Sequence, residues 1–180
     1  MNRLLELARM LSTLRGDEYQ GSVIARASWR RSSSNGKTGL FIRKTGRHFQ
    51  QLECCCAAED GRQEQLGVTL MLGGEPPLRK ESRADTSVQT GVSQQFSAAE
   101  IKTFVRQVGD TNRIHQGDCP VVPGLLLLKA VLDQYPDRDV ELRFHQAVFA
   151  AETVWLQEDG KGILAFVGEK RVFTARIGQR

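Results

Sequence analysis

The 180-residue chain is 40% hydrophobic and 26% charged, the composition of an ordinary soluble globular protein, which excludes a disordered or fibrous polymer. Its 25 basic and 21 acidic residues give a formal charge of +4, with the bases scattered among acids; this argues against a nucleic-acid partner and mildly for an anionic small molecule. No apolar run reaches membrane-spanning length, so no membrane partner is expected.

The N-terminal MNRLLELARMLSTLR lacks a signal-peptide core, and the spacing of Leu4, Leu5, Ala8 and Leu11 predicts an amphipathic helix. From Gly21 to Leu72 the pattern changes to strands. Val23, Ala25, Ala27 and Trp29 alternate with Ser22, Ile24, Arg26 and Ser28, close to the period of two of a half-buried strand, with Ile24 the exception. Asn35-Gly36 marks a turn, and TGLFIRKT, HFQQLECCCAAED and QLGVTLMLG complete a predicted antiparallel meander. Cys54, Cys55 and Cys56 are consecutive and Cys119 is distant, so no disulfide or zinc spacing exists; the run reads as small strand residues in a reducing cytoplasm.

Gly73 to Gln95 is rich in Gly, Pro, Ser, Thr and charge and has almost nothing to bury, which predicts a linker. The chain therefore divides into residues 1–73, a linker at 74–95, and residues 96–180. The second part opens with FSAAEIKTFVRQVGD, where Ser97 and Glu100 form a capping box and Ile101, Phe104, Val105 and Val108 share one helix face. Gly109 stops that helix. A second helix runs from Gly124 to about Gln134, apolar around most of its circumference and so expected to be buried, and Pro136 ends it. VELRFHQAVF, ETVWLQ, KGILAFVG and KRVFTARIG predict the closing strands. Each part is thus a helix beside antiparallel strands, an imperfect internal repeat.

One stretch carries chemistry: GDTNRIHQGDCPVVPGLLLL, Gly109 to Leu128. Asp110 and His115 can both reach one water, orient it and move its proton near neutral pH. The unpaired N–H groups at the start of the Leu-rich helix can hold a carbonyl oxygen as it becomes an enolate, and Gly124 lets a substrate approach that backbone. The same residue types also occur as a helix stop, an Asx-turn and a loop histidine, so spacing alone leaves both readings open.

Gly109-Asp110-x-Asn112-x-x-His115 resembles the GDxNPxH motif of MaoC-like, (R)-specific enoyl-CoA hydratases. VVPGLLLLKAV is similar to that family's ILHGL helix start, ELRFHQAVFAAETVWL to its RFxxPVFPGDTL strand pair, and the N-terminal half to the first, degenerate repeat of its two-repeat members. The resemblance implies an α+β double hotdog, an antiparallel sheet wrapped around a central apolar helix. It further implies a lyase of fatty acid metabolism that hydrates enoyl thioesters or dehydrates 3-hydroxyacyl thioesters of coenzyme A or acyl-carrier protein. Asp110 and His115 would activate the water, Asn112 would support the site, the Gly124 N–H would hold the thioester carbonyl, and Val122 would line the acyl path. No metal and no cofactor beyond the thioester carrier is implied, and two repeats leave room for a homodimer. The same fold also serves acyl-CoA thioesterases and non-catalytic thioester-binding proteins.

The chain departs from the pattern in three places. Arg113 stands where the motif has Pro, Pro123 where the helix start has His, and PVVPG is nearer the PxxPG of acyl-carrier-protein dehydratases. QGDCP, residues 116–120, is shorter than the segment that helps form the hydratases' acyl pocket. Other candidates read as structural: His48 and His145 as strand histidines, Cys119 as a small residue beside Pro120, Lys37 as part of a hairpin turn. Arg79, Lys80 and Arg83 read as solvated linker charges, with carrier phosphates the alternative.

Overall fold

Alternation of buried and exposed side chains builds the sheet that the sequence predicts. The computed structural model describes residues 3–33, 36–58, 60–74, 77–79 and 91–178. Helix α1 (Leu4–Leu11) precedes strands β1 (Val23–Ser32), β2 (Gly39–Thr45), β3 (Phe49–Ala57) and β4 (Gln63–Met71). Strand β5 (Val92–Gln95), helices α2 (Ala98–Val108) and α3 (Gly124–Gln134), and strands β6 (Val140–Phe144), β7 (Thr153–Glu158), β8 (Ile163–Val167) and β9 (Lys170–Ile177) follow.

All nine strands lie in one antiparallel sheet of order β2-β3-β4-β1-β6-β9-β8-β7-β5. The strands before residue 74 meet those after 91 at a seam between β1 and β6, four residue pairs long from Arg26↔Arg143 to Trp29↔Val140. On one face the alternate residues Ala27, Trp29, Leu52, Cys54, Leu66, Val68, Val140 and Leu142 form the core. Leu4, Leu7, Ala8 and Leu11 of α1 are buried, and the helix packs against β3 and β4. Helix α3 lies across the seam against β1 and β6, with six of its eleven residues buried and Lys129 reaching Asp133 on its outer side. An apolar helix thus covers the seam itself, which brings its N-terminus to the place where both halves of the sheet end.

Helix α2 has the expected caps. Ser97 N donates to Glu100 Oε2 at 2.8 Å, Glu100 N donates to Ser97 Oγ at 3.2 Å, and Gly109 ends the helix at φ 71°. The three adjacent cysteines are all buried, although they point to alternate faces: Cys54 and Cys56 join the core, and Cys55 lies beside Glu53 on the other side. Burial pushes their thiols up, to about 12 for Cys54 and about 11 for Cys55 and Cys56. Glu64 is buried to 2% exposure and is answered by Arg31 Nε at 3.0 Å and the Arg3 amide at 2.8 Å.

The expected linker differs at its end. Val92–Gln95 forms β5, an edge strand paired with β7, because backbone hydrogen bonds alone hold a short edge and need no apolar residues. Residues 75, 76 and 80–90, with Lys80 and Arg83, lie outside the described residues, as does Asn35 of the predicted turn. His48 sits in the turn between β2 and β3 and His145 just beyond β6, so neither is a strand residue.

Candidate active site at the start of α3

The loop between α2 and α3 is pinned from both ends. The Asp110 amide donates to Val105 O at 3.0 Å and finishes α2. Asp110 Oδ1 accepts from the Asn112 amide at 2.8 Å, which fixes the carboxylate and leaves Oδ2 facing inward. Asn112 anchors the loop to the chain just before β1: its Oδ1 accepts from Gly21 N at 3.0 Å, and its Nδ2 donates to Ser22 O at 2.8 Å. Both ends of one amide side chain are used, so the loop is held to the first half of the molecule as well as to α2.

His115 ends a short 3-10 turn and is 7% exposed. Its Nδ1 lies 2.8 Å from Val121 O, and a carbonyl oxygen only accepts; Nδ1 therefore carries the proton and Nε2 keeps its lone pair. Nε2 is 3.6 Å from Asp110 Oδ2. Burial pushes the imidazole below its ordinary value, against the opposing pull of the Asp110 charge and the Val121 carbonyl. The short 116–120 loop makes this possible, because Val121 N donates back to Ile114 O at 2.9 Å and turns the Val121 carbonyl onto the ring.

The approach to α3 is equally fixed. Val122 N donates to Val148 O at 2.8 Å, and Ala150 N donates to Pro120 O at 2.9 Å. Pro123 O accepts from Leu126 N and Leu127 N, while the amides of Gly124 and Leu125 have no hydrogen-bond partner among the described residues. Those two N–H groups carry the positive end of the helix dipole. A Cβ on Gly124 would lie 3.2 Å from Phe144 Cζ and 3.3 Å from Ile24 Cβ, so only glycine leaves this spot open.

A cavity of about 360 Å³ joins these parts. Asp110, Asn112, His115, Val122 and Gly124, the five residues singled out from sequence, all line it. Its apolar walls come from elsewhere: Leu11 and Leu14 around α1, Ile24 of β1, Leu70 of β4, Phe104 of α2 and Phe144 of β6. The apolar walls therefore come from both halves of the chain, and residues 116–120 are not among them. His145 also lines the cavity, which its sequence setting gave no sign of. Cys119 is exposed and outside the lining, with its Sγ 3.3 Å from Arg79 Nη1, and the Lys37 backbone carbonyl accepts from Gln63. Among the described residues no group of three His, Cys, Asp or Glu side chains is placed to hold a metal.

No family model and no curated protein matches this sequence. Solved structures do match its fold. HtdX from Mycobacterium tuberculosis superposes with a TM-score of 0.64 over 97% of this chain and 84% of its own, at 12% identity. A MaoC-like dehydratase from Phytophthora capsici gives a TM-score of 0.56 at 15% identity, over 93% of this chain and 74% of its own. An acyl-ACP thioesterase from Bacteroides thetaiotaomicron gives 0.51 at 10% identity, over 87% and 75%. The chain has the α+β hotdog fold. In this hotdog the buried helix is α3, and the polar cluster described above lies at that helix's N-terminus, where the sheet's two halves meet.

Proposed function

We propose that the protein is an enoyl-thioester hydratase, equally a 3-hydroxyacyl-thioester dehydratase, of the MaoC-like kind, with Asp110 and His115 as its catalytic residues. The observation that carries this reading is the pairing of two acceptors: an unprotonated His115 Nε2 and Asp110 Oδ2, 3.6 Å apart, beside unpartnered amides at a helix N-terminus in one apolar cavity. Only a proton donor satisfies both acceptors, and a single water can donate to each at hydrogen-bond distance. Such a water presents its remaining lone pairs to the substrate.

In the hydration direction, the thioester carbonyl accepts from the Gly124 N–H and the water oxygen attacks the β-carbon. The paired acceptors take a proton from that water, the charge developing on the carbonyl oxygen is held as an enolate by the helix N-terminus, and a proton is returned to the α-carbon. Asn112 keeps Asp110 aimed by holding the loop to Gly21 and Ser22. Val122 and the apolar walls from both halves enclose the acyl chain. The reaction needs no metal or further cofactor, because the groups that move protons belong to the chain.

The two halves read as two hotdog repeats, residues 1–73 and 96–180, each with a helix on the core face of its strands. A reducing cytoplasm fits the four unpaired thiols, and a homodimer could form by pairing with a second chain. Replacing Asp110 by Asn should lower hydration of crotonyl-CoA by about 10²-fold or more, with the thermal unfolding midpoint retained. Undiminished turnover would sink the assignment. Because the same water could instead attack the carbonyl carbon, the assay also contains a saturated acyl-CoA: release of free thiol without loss of the enoyl double bond would identify a thioesterase.

A further inference from the structure

The reaction proposed above leaves part of the cavity's polar lining unused. Asn112 spends both ends of its amide on Gly21 and Ser22, and Asp110 Oδ1 is held by the Asn112 amide. His145 and Gln146 also line the cavity, but both are exposed, so solvent reaches them. Ser22 is different: it lines the cavity at 7% exposure, and its hydroxyl has no hydrogen bond among the described residues. Its backbone is fully committed, with the amide donating to Tyr19 O at 3.2 Å and the carbonyl accepting from Asn112 Nδ2 at 2.8 Å. Only the hydroxyl is spare, and a buried hydroxyl left unpaired is costly.

Gln20 continues the same wall. Its side-chain oxygen accepts from the Arg113 amide at 3.2 Å, and because that amide only donates, the other end of the side chain is the Nε2 donor. Gln20 lines the cavity, and its Nε2 has no hydrogen bond among the described residues. Two spare donors therefore stand two residues apart in the segment between α1 and β1. The chain also bounds how far Ser22 stands from the reacting bond. It immediately precedes β1, and Ile24, two residues on, lies 3.3 Å from the position a Gly124 Cβ would take. Two residues of extended chain span at most about 7 Å, so Ser22 is within reach of the first few carbons beyond the thioester carbonyl held at Gly124.

We infer that the acyl group taken by this protein carries an oxygen a few carbons from the reacting bond, a hydroxyl or a carbonyl, which accepts hydrogen bonds from Ser22 Oγ and Gln20 Nε2. This rests on the thioester reading above and narrows it from a plain alkyl substrate to an oxygenated one. An alkyl chain laid against Ser22 buries the hydroxyl with no partner, whereas an oxygen at that place satisfies it. Sites built to bond a substrate oxygen discriminate against the analogue that lacks it.

Calorimetry on the full chain compares ketone analogues of hexanoyl-CoA, in which a methylene replaces the thioester sulfur so that they can be neither hydrated nor hydrolysed. One is unsubstituted and the others carry a hydroxyl on carbon 4, 5 or 6. The wild type should bind at least one hydroxylated analogue about tenfold or more tighter than the unsubstituted one. In Ser22→Ala, and in Gln20→Glu, which keeps the oxygen for Arg113 and removes the donor, that preference should shrink to about threefold or less, with the unfolding midpoint retained. Equal binding of every analogue by the wild type overturns the inference, as does a preference that survives in Ser22→Ala or the absence of binding for all of them. An equal loss across all analogues in Ser22→Ala would assign Ser22 to the structure of the wall and also overturn it. The hydratase reading is scored separately, by loss of the double bond of crotonyl-CoA. Turnover without a preference keeps the hydratase and removes the oxygenated acyl group, and a preference without turnover does the reverse.

Discussion

His115 owes its tautomer to a neighbour that cannot donate, and its low proton affinity to burial. The folded-state value lies below the ordinary imidazole value of about 6.5, so the unfolded chain takes up a proton first as pH falls. The neutral ring therefore contributes stability that is fully present above about pH 6.5 and is lost as pH drops below it. By NMR titration His115 should have its midpoint below about 6.5, and the acid limb of kcat/KM for enoyl-CoA should follow that midpoint. In Asp110→Asn the midpoint should fall further, because the carboxylate's opposing charge is gone. A midpoint above 6.5 in the wild type would contradict the buried, neutral ring. At this scale the sequence was informative: Asp110, Asn112 and His115 stood out by their spacing in one loop. The Nδ1 contact did not, because it needs the 116–120 turn to swing a carbonyl six residues away onto the ring.

Elements were legible wherever a period had room to repeat. The capping box and the spacing of Ile101, Phe104 and Val108 announced α2, and the unbroken leucines announced a helix buried on most sides. Strand β5 was not legible, since Val92–Gln95 holds three polar residues and pairs through its backbone alone. Nor were the cavity walls, which come from α1, β1, β4, α2 and β6, elements that only the strand order brings together. At Gly124 helix α3 faces Ile24 of β1 and Phe144 of β6, with room for little more than the glycine. Gly124→Ala should change stability by no more than about 1 kcal/mol, crowding being offset in part by alanine's better helix propensity. It should nonetheless lower turnover about tenfold or more by placing a methyl before the free amides. Stopped assays and urea midpoints on one preparation separate the two effects; full activity would mean that the substrate does not approach this backbone.

Across the whole molecule, the first half contributes strands, cavity walls and a buried ion pair that ties α1, β1 and β4 together. Arg31 Nε meets Glu64 Oε1 at 3.0 Å, and Arg31 Nη1 also reaches Asp137 at 3.1 Å in the turn after α3. Removing Arg31 leaves a carboxylate buried without its cation, so Arg31→Ala should destabilise by about 3 kcal/mol. Pairing it with Glu64→Leu should restore part of that loss, which urea unfolding of the single and double variants would measure. Equal loss in both would place the effect in the Asp137 contact instead.

Strand order also sets the length of the polar segment between the halves. β4 is third in the sheet and β5 is ninth, and 20 residues, 72–91, separate them in sequence. Six strand spacings of about 4.8 Å amount to about 29 Å measured across a flat sheet, or about nine residues of fully extended chain. A tight turn in its place would leave β5 unable to reach β7. The stretch that reads as the least informative part of the sequence is thus a tether with a minimum length, and deletions within it should be tolerated only down to that limit.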